Sequence, residues 1–327
     1  MVVRAKLLAL TAAAALLPTH TFAEVMHEPL WVENLSPLAQ LIAIPSQRSA
    51  DVRAGLSLTW HSDVATHFVS QASLDERVFF DGETQKHSLA LRWGLSSNWD
   101  ISATLPVVKH SGGFVDSYVN RWHDFFGMSD GGRSGLPDDL IRYQLDGLNQ
   151  QAVLDRSVSG QGDVVLEISH VSERQRDLQI AYAVGYKASS GSDSDWTGSG
   201  AADSYGVARF SGAHQGNLPL YWHGQVGVSR AGSSPLLGAQ QREWIWFTGL
   251  SAEWRLGDDW ALIAQFDGHG APSDSTLDAL GDPAGMLSFG VRRQLDRQWA
   301  VDLSFAEDII VESAPDIIFQ ASIHYRP

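Results

Sequence analysis

The chain contains no cysteine, which excludes disulfides, thiolate catalysis, cysteine zinc sites and a lipidated N-terminal cysteine together. Basic residues are scarce: 23 Lys and Arg stand against 38 Asp and Glu, a net charge of −15 over 327 residues. Nucleic acid is therefore not an expected partner, because phosphate binding needs a basic footprint. After the first two dozen residues no run approaches the roughly 18 uncharged apolar residues of a membrane helix, which excludes a helical membrane protein. What is present is apolar and aromatic, 44% hydrophobic with 12 Trp and only 19% charged, a composition unlike that of a disordered chain.

Residues 1–23 place Arg4 and Lys6 before an apolar run from Leu7 to Leu17 and end on Thr21-Phe22-Ala23. That is the pattern of a signal peptide. Cleavage after Ala23 leaves a mature charge of 21 − 38 = −17 and a destination outside the cytoplasm.

Beyond residue 50 the dominant pattern is alternation. Trp260, Leu262, Ala264 and Phe266 share one face of a strand and Ala261, Ile263, Gln265 and Asp267 the other, the period of a sheet with one apolar side. Such runs fall near 51–61, 84–95, 99–109, 163–171, 178–188, 204–211, 218–230, 243–256, 260–269, 285–295, 299–309 and 317–325, twelve in all, with 204–211 the least regular. The links between them alternate in length. Tight links lie at 96–98, 173–176, 215–217, 257–259 and 296–298, and Gly/Ser/Asp-rich ones at 62–83, 110–162, 189–203, 231–242 and 270–284. This predicts an all-β fold, a transmembrane up-and-down antiparallel barrel of about 12 strands with periplasmic turns and extracellular loops. The domain reading is a signal peptide over 1–23, a periplasmic N-terminal segment or plug over 24–50, and an outer-membrane barrel over 51–327.

Trp93, Trp99, Trp254, Trp260 and Trp299 flank three of the tight turns. Indole is most stable between acyl chains and head groups, so these five read as an interfacial girdle. If the apolar faces meet lipid, the inward candidates are Arg53, Arg92, Asp100, Glu167, Lys187, His223, Glu253, Arg255, Asp267, Arg292, Asp302 and His324. Both signs occur, so such a lumen either passes a narrow solute stream or closes by pairing across itself. In the longest link, Phe114, Val115, Tyr118, Val119, Trp122, Phe125 and Phe126 recur at helical spacing, with Asp116, Asn120, Arg121, His123 and Asp124 opposite. A short amphipathic helix is expected there, with His110, Phe114, Tyr118, Trp122, His123, Asp124, Phe125 and Phe126 as candidates at the extracellular rim.

The segments LWVENLSPLAQLIAIP (30–45), FDGETQ (80–85), HSGGFVDSYVNRWHDFFGM (110–128), DGGR (130–133), GQGD (160–163) and ALGDPAGMLSFG (279–290) span nearly the whole mature chain. They resemble the uncharacterised proteobacterial outer-membrane family known as domain of unknown function 3187. The resemblance implies an outer-membrane barrel and supplies no catalytic residue.

Enzyme motifs are weak. Gly127-Met128-Ser129-Asp130-Gly131 has the spelling of a nucleophile elbow without the strand–turn–helix setting that it needs. Adjacent pairs such as His61-Ser62, His110-Ser111 and Ser169-His170 point to opposite faces of a strand and cannot form a dyad, so a hydrolase would need cross-strand partners. His61 and His67, read as part of the first long link, or Asp193, Asp195 and Asp203 carry donor atoms for a cation without the spacing of a recognised site. No cofactor and no metal is expected. The leading functional reading is a narrow channel or structural barrel in a Gram-negative outer membrane, monomeric, in contact with lipid and lipopolysaccharide and inserted by the barrel assembly machinery. The alternatives are a lipid-modifying hydrolase and a surface receptor or adhesin.

Overall fold

A computed structural model describes residues 26–115, 137, 139–147, 150–175, 178–214, 219–310 and 313–327. Its strands are β1 (Gly55–Ala72), β2 (Arg77–Gly94), β3 (Trp99–Ser111), β4 (Arg142–Gly147), β5 (Gln150–Leu154), β6 (Val158–Gln161), β7 (Val165–Arg174), β8 (Leu178–Lys187), β9 (Asp203–His214), β10 (Leu220–Arg230), β11 (Trp244–Leu256), β12 (Trp260–His269), β13 (Ala284–Gln294), β14 (Trp299–Asp308) and β15 (Ile317–Tyr325). Twelve of them, β1–β3 and β7–β15, pair antiparallel in a closed ring. The seam joins the first strand to the last, with Leu58 opposite Tyr325 and Thr66 opposite Ile317. Closure leaves no sheet edge along the ring, so every strand satisfies its backbone polar groups laterally. The three short strands are additions to one rim: β4 extends the far end of β2, β5 pairs with β4, and β6 borders the end of β3.

Alternation sorts the side chains. On β11, Trp244, Trp246, Leu250, Trp254 and Leu256 are exposed, while Ile245, Phe247, Ser251, Glu253 and Arg255 are buried inside. The five Trp of the expected girdle are 38–54% exposed on the exterior beside the tight turns. In the turn between β11 and β12, Gly257 takes φ 77°, a conformation that a residue with a Cβ resists.

Two of the long links are shorter than the sequence implies. The stretch 62–83 is mostly strand, because β1 and β2 continue as a hairpin to Ala72 and Arg77. His61 and His67 accordingly lie on β1. Here the outward residues Ser62 and Thr66 are polar, so the apolar alternation that marks a strand is missing. Likewise 110–162 contains β4, β5 and β6. The expected helix lies almost wholly at residues outside those described.

The loop rim is closed by an apolar cluster. Leu236, Leu237, Leu277 and Leu280 from two loops meet Trp196 from a third, Phe80 and Tyr143 from β2 and β4, and Leu38, Leu41 and Ile42 from the N-terminal segment. Glu76, between β1 and β2, ties these loops together. Its carboxylate accepts the Thr276 N–H (3.0 Å), the Ser275 hydroxyl (2.8 Å) and the Thr276 hydroxyl (3.0 Å), and it also meets the Gln240 amide. Burial favours the neutral acid, but these donors outweigh it and hold the Glu76 pKa below its usual 4.5. A depressed pKa gives stability that is complete above pH 4.5 and lost as pH falls below it. Glu76→Ala should therefore speed proteolysis of the loops near 240 and 275 at pH 7 and leave heat resistance of the barrel unchanged. Acid should release the same loops in the wild type.

Candidate functional site in the barrel lumen

Pro29, Pro37 and Pro45 remove backbone donors from the N-terminal segment and forbid it a regular strand. It runs through the interior in extended form, interrupted by one 3-10 turn at Ala39–Leu41. Wall side chains satisfy its backbone. Gln265 both accepts the Leu30 N–H (2.8 Å) and donates to the Leu30 carbonyl (3.1 Å). Arg292 donates to the Glu28 carbonyl (2.8 Å), Gln320 to Trp31 (3.1 Å), Lys187 to Leu41 (2.7 Å), Gln225 to Pro45 (3.1 Å) and Arg92 to Asp51 (2.8 Å). Asp203 accepts the Ala43 N–H (2.9 Å) and Ser211 that of Ala50 (2.8 Å). Among the described residues no backbone-to-backbone hydrogen bond joins the segment to a strand. Two wall glycines make room for it: a Cβ on Gly249 would come within 2.8 Å of Gln47 Cγ, and one on Gly290 within 2.9 Å of Leu30 Cδ2.

The inward charges pair in chains. Arg292, fully buried, grips Asp302 with two hydrogen bonds of 2.7 and 2.6 Å and reaches Glu253 at 3.1 Å. Glu253 also bonds His27 (2.9 Å), and Asp302 accepts from His324 Nε2 (2.9 Å). Across the lumen, Arg209 forms a fork with Glu167 at 2.7 and 2.8 Å, and Tyr205 donates to the same carboxylate at 2.7 Å. Arg48 of the segment bridges Glu167 (2.7 Å) to Asp100 (3.5 Å), which Arg92 holds at 2.8 Å. Lys187 meets Asp163 at 2.7 Å and Asp203 at 3.2 Å. Asp267 has no cation among the described residues; it takes amide donors from Gln265 (2.8 Å) and Gln47 (2.7 Å). Arg255 bonds the Asp258 carbonyl, Arg53 pairs with Asp51 at the turn rim, and His223 bonds Ser211.

Beside the segment lies a cavity of about 130 Å³, bordered by Trp31, Arg48, Lys86, Glu167, Lys187 and Asp267. At 10–15 Å³ apiece it holds on the order of ten waters. The Ser88, Ser251 and Ser288 hydroxyls, buried on the inner wall, have no partner among the described residues, and buried hydroxyls of this kind are satisfied by water. Around the segment, charged and polar wall groups alternate with apolar ones such as Val108, Val165 and Phe247, while the loop rim is apolar.

Of the rim candidates, His110 is buried on β3 between Thr84 (3.0 Å) and the Trp196 carbonyl (3.1 Å), and Phe114 is exposed. Tyr118, Trp122, His123, Asp124, Phe125 and Phe126 lie outside the described residues. Sequence reasoning missed Arg48, Arg209, Tyr205, Gln225, Gln265 and Gln320. For Gln225, Gln265 and Gln320 the one local signal is a position in step with recognised inward residues, as Gln265 is with Asp267.

Histidine and hydroxyl groups meet repeatedly across strands. Inside, His61 Nδ1 lies 2.7 Å from Ser322 Oγ and Nε2 2.7 Å from Asp63. The carboxylate accepts from Nε2, so the serine hydroxyl donates to Nδ1. Trp31 stacks on His61 at 5.1 Å and covers it with the segment.

The family model described as protein of unknown function (DUF3187) matches residues 5–326. No curated protein matches the chain. An outer-membrane channel of Pseudomonas putida F1 superposes with a TM-score of 0.54 at 9% identity, over 87% of this chain and 97% of that one. The NanC porin follows at 0.46 and 6%, over 84% and 100%. The toluene transporter TbuX of Ralstonia pickettii gives 0.38 and 11%, over 84% and 90%. At these identities the first likeness is one of fold.

Proposed function

The chain belongs to the DUF3187 family, and from that premise we propose that it is an outer-membrane barrel of a Gram-negative bacterium whose narrow polar channel is held shut by its own N-terminal segment. The carrying observation is how that segment is fixed. Side chains hold it, so it can leave without breaking a single rung of the strand ladder, and every group that releases it can turn to water. The mixed charges around it offer a path to small polar solutes, and the Pseudomonas channel of similar fold agrees with that reading. The tight turns face the periplasm, and the loops capped by Trp196 face outward. The exterior meets acyl chains and lipopolysaccharide. The barrel is a monomer, inserted by the assembly machinery.

Deletion of residues 26–50 removes no strand. In planar bilayers the full chain should show few or no conductance steps at low voltage, and the deletion variant discrete, frequent ones. A deletion variant that resists SDS at room temperature as a folded barrel and is still silent would refute the channel.

A further inference from the structure

The exterior of β1, β2 and β3 breaks the apolar rule. Ser62 stands opposite His87 in the β1–β2 ladder, with its hydroxyl 2.9 Å from His87 Nδ1. Their strand neighbours His61, Asp63, Lys86 and Ser88 point inward, so this pair points out. The Trp60 indole lies parallel to the imidazole at 6.2 Å and 7° and fixes its plane. One exterior row towards the loop rim, Gln85 is paired with Lys109. Lys109 is exposed and makes no ion pair among the described residues. In the next row Glu83 is buried by the chain at 113–115, accepting the Phe114 and Val115 N–H groups at 3.1 and 3.3 Å and the Gln85 amide at 2.6 Å.

The barrel supplies its own ruler for depth. On β11 the exterior Trp254 near the turns and Trp244 near the loops are ten residues apart. On β2, Trp93 marks the turn level, His87 lies six residues above it and Gln85, with Lys109 alongside, eight. At about 2.5 Å of height per residue for a strand tilted some 40°, Ser62 and His87 lie roughly 10 Å below the outer Trp level and Lys109 roughly 5 Å below. A cation on a lipid-facing wall costs least near the interface, and ionisable groups within membrane depth are a functional signature.

We propose that Ser62 and His87 form a nucleophile and general base facing the outer leaflet, acting on ester-linked acyl chains of a lipid whose phosphate rests on Lys109. Unlike Ser322 and His61, sealed beneath Trp31, this pair opens onto the substrate's own phase. The Ser62 hydroxyl attacks the ester carbonyl carbon as its proton passes to His87 Nδ1. The carbon–oxygen bond to the lipid alcohol breaks and the departing oxygen takes that proton. Water, deprotonated by His87, then cleaves the acyl-Ser62 ester, releasing a fatty acid and restoring the serine. This activity is independent of the channel, because it needs no passage through the lumen.

The test uses the full chain in detergent micelles, mixed in separate arms with phosphatidylethanolamine and with purified lipopolysaccharide, with released fatty acid measured by mass spectrometry. Release is expected in at least one arm, and that arm identifies the lipid. Ser62→Ala and His87→Gln should each lower release at least 100-fold while the variants remain heat-modifiable barrels. A fluorophosphonate should label wild-type protein on the peptide carrying Ser62, a readout that needs no variant to fold. Absence of both release and label in folded wild type would overturn the proposal, as would release that Ser62→Ala leaves intact.

Discussion

Arg292→Met should lower barrel stability by about 3–5 kcal/mol, the cost of stranding buried carboxylates without their counter-ion. Arg292 is fully buried and is the shared partner of Asp302 and Glu253. Methionine fills much of its volume, so the loss comes from charge and not from a cavity. Among the described residues Asp302 would retain only His324, and Glu253 only His27. Urea titration in detergent should show the midpoint falling sharply, together with the temperature at which SDS unfolds the barrel. Pairing the change with Asp302→Leu should recover part of the loss, since two neutral residues replace one orphaned charge. A single variant within 1 kcal/mol of wild type would mean that water already reaches the pair.

Joining Gln47→Cys to Gly249→Cys should lock the channel. The site is suitable because the Gly249 Cβ position is 2.8 Å from Gln47 Cγ, which brings the two Cβ atoms near the span of a disulfide. Without any native cysteine no competing bridge forms. Oxidised, the double variant should stay silent at voltages that open the wild type; reduced, it should conduct. Conduction that is the same in both states would show that ions bypass residues 26–53.

Much of the barrel is legible in the sequence because an apolar exterior forces a two-residue period wherever it runs, as on β11, β12 and β14. The outer halves of β1 and β2, residues 62–72 and 77–83, escape notice because their exteriors carry polar groups such as Ser62, Thr66 and Glu83 among the apolar ones. Inward charges such as Asp302 are visible as the off-beat of that rhythm. Their partners are not, because pairing is set by strand register. Glu167 and Arg209 are 42 positions apart, and Arg292 reaches the Glu28 carbonyl across 264. The prolines at 29, 37 and 45 mark a segment unfit for a strand, yet nothing local says which wall glycine receives Leu30 or Gln47. The Ser62–His87 pair follows the same logic, since only the β1–β2 register brings position 62 to position 87.

The seam between β1 and β15 constrains how the thread comes to be enclosed. The residues that thread the lumen precede β1 in the chain, and the strand that shuts the ring is the last to be made. A segment left outside when the seam zips has no lateral way in and can enter only along the bore. Glu28 meets Arg326, just past β15, at 3.3 Å and Arg92 of β2 at 3.5 Å, so the thread touches the chain on both sides of β1. A barrel that closes early would be a well-paired ring with an empty bore, distinguishable from the native form by the conductance that the native form withholds.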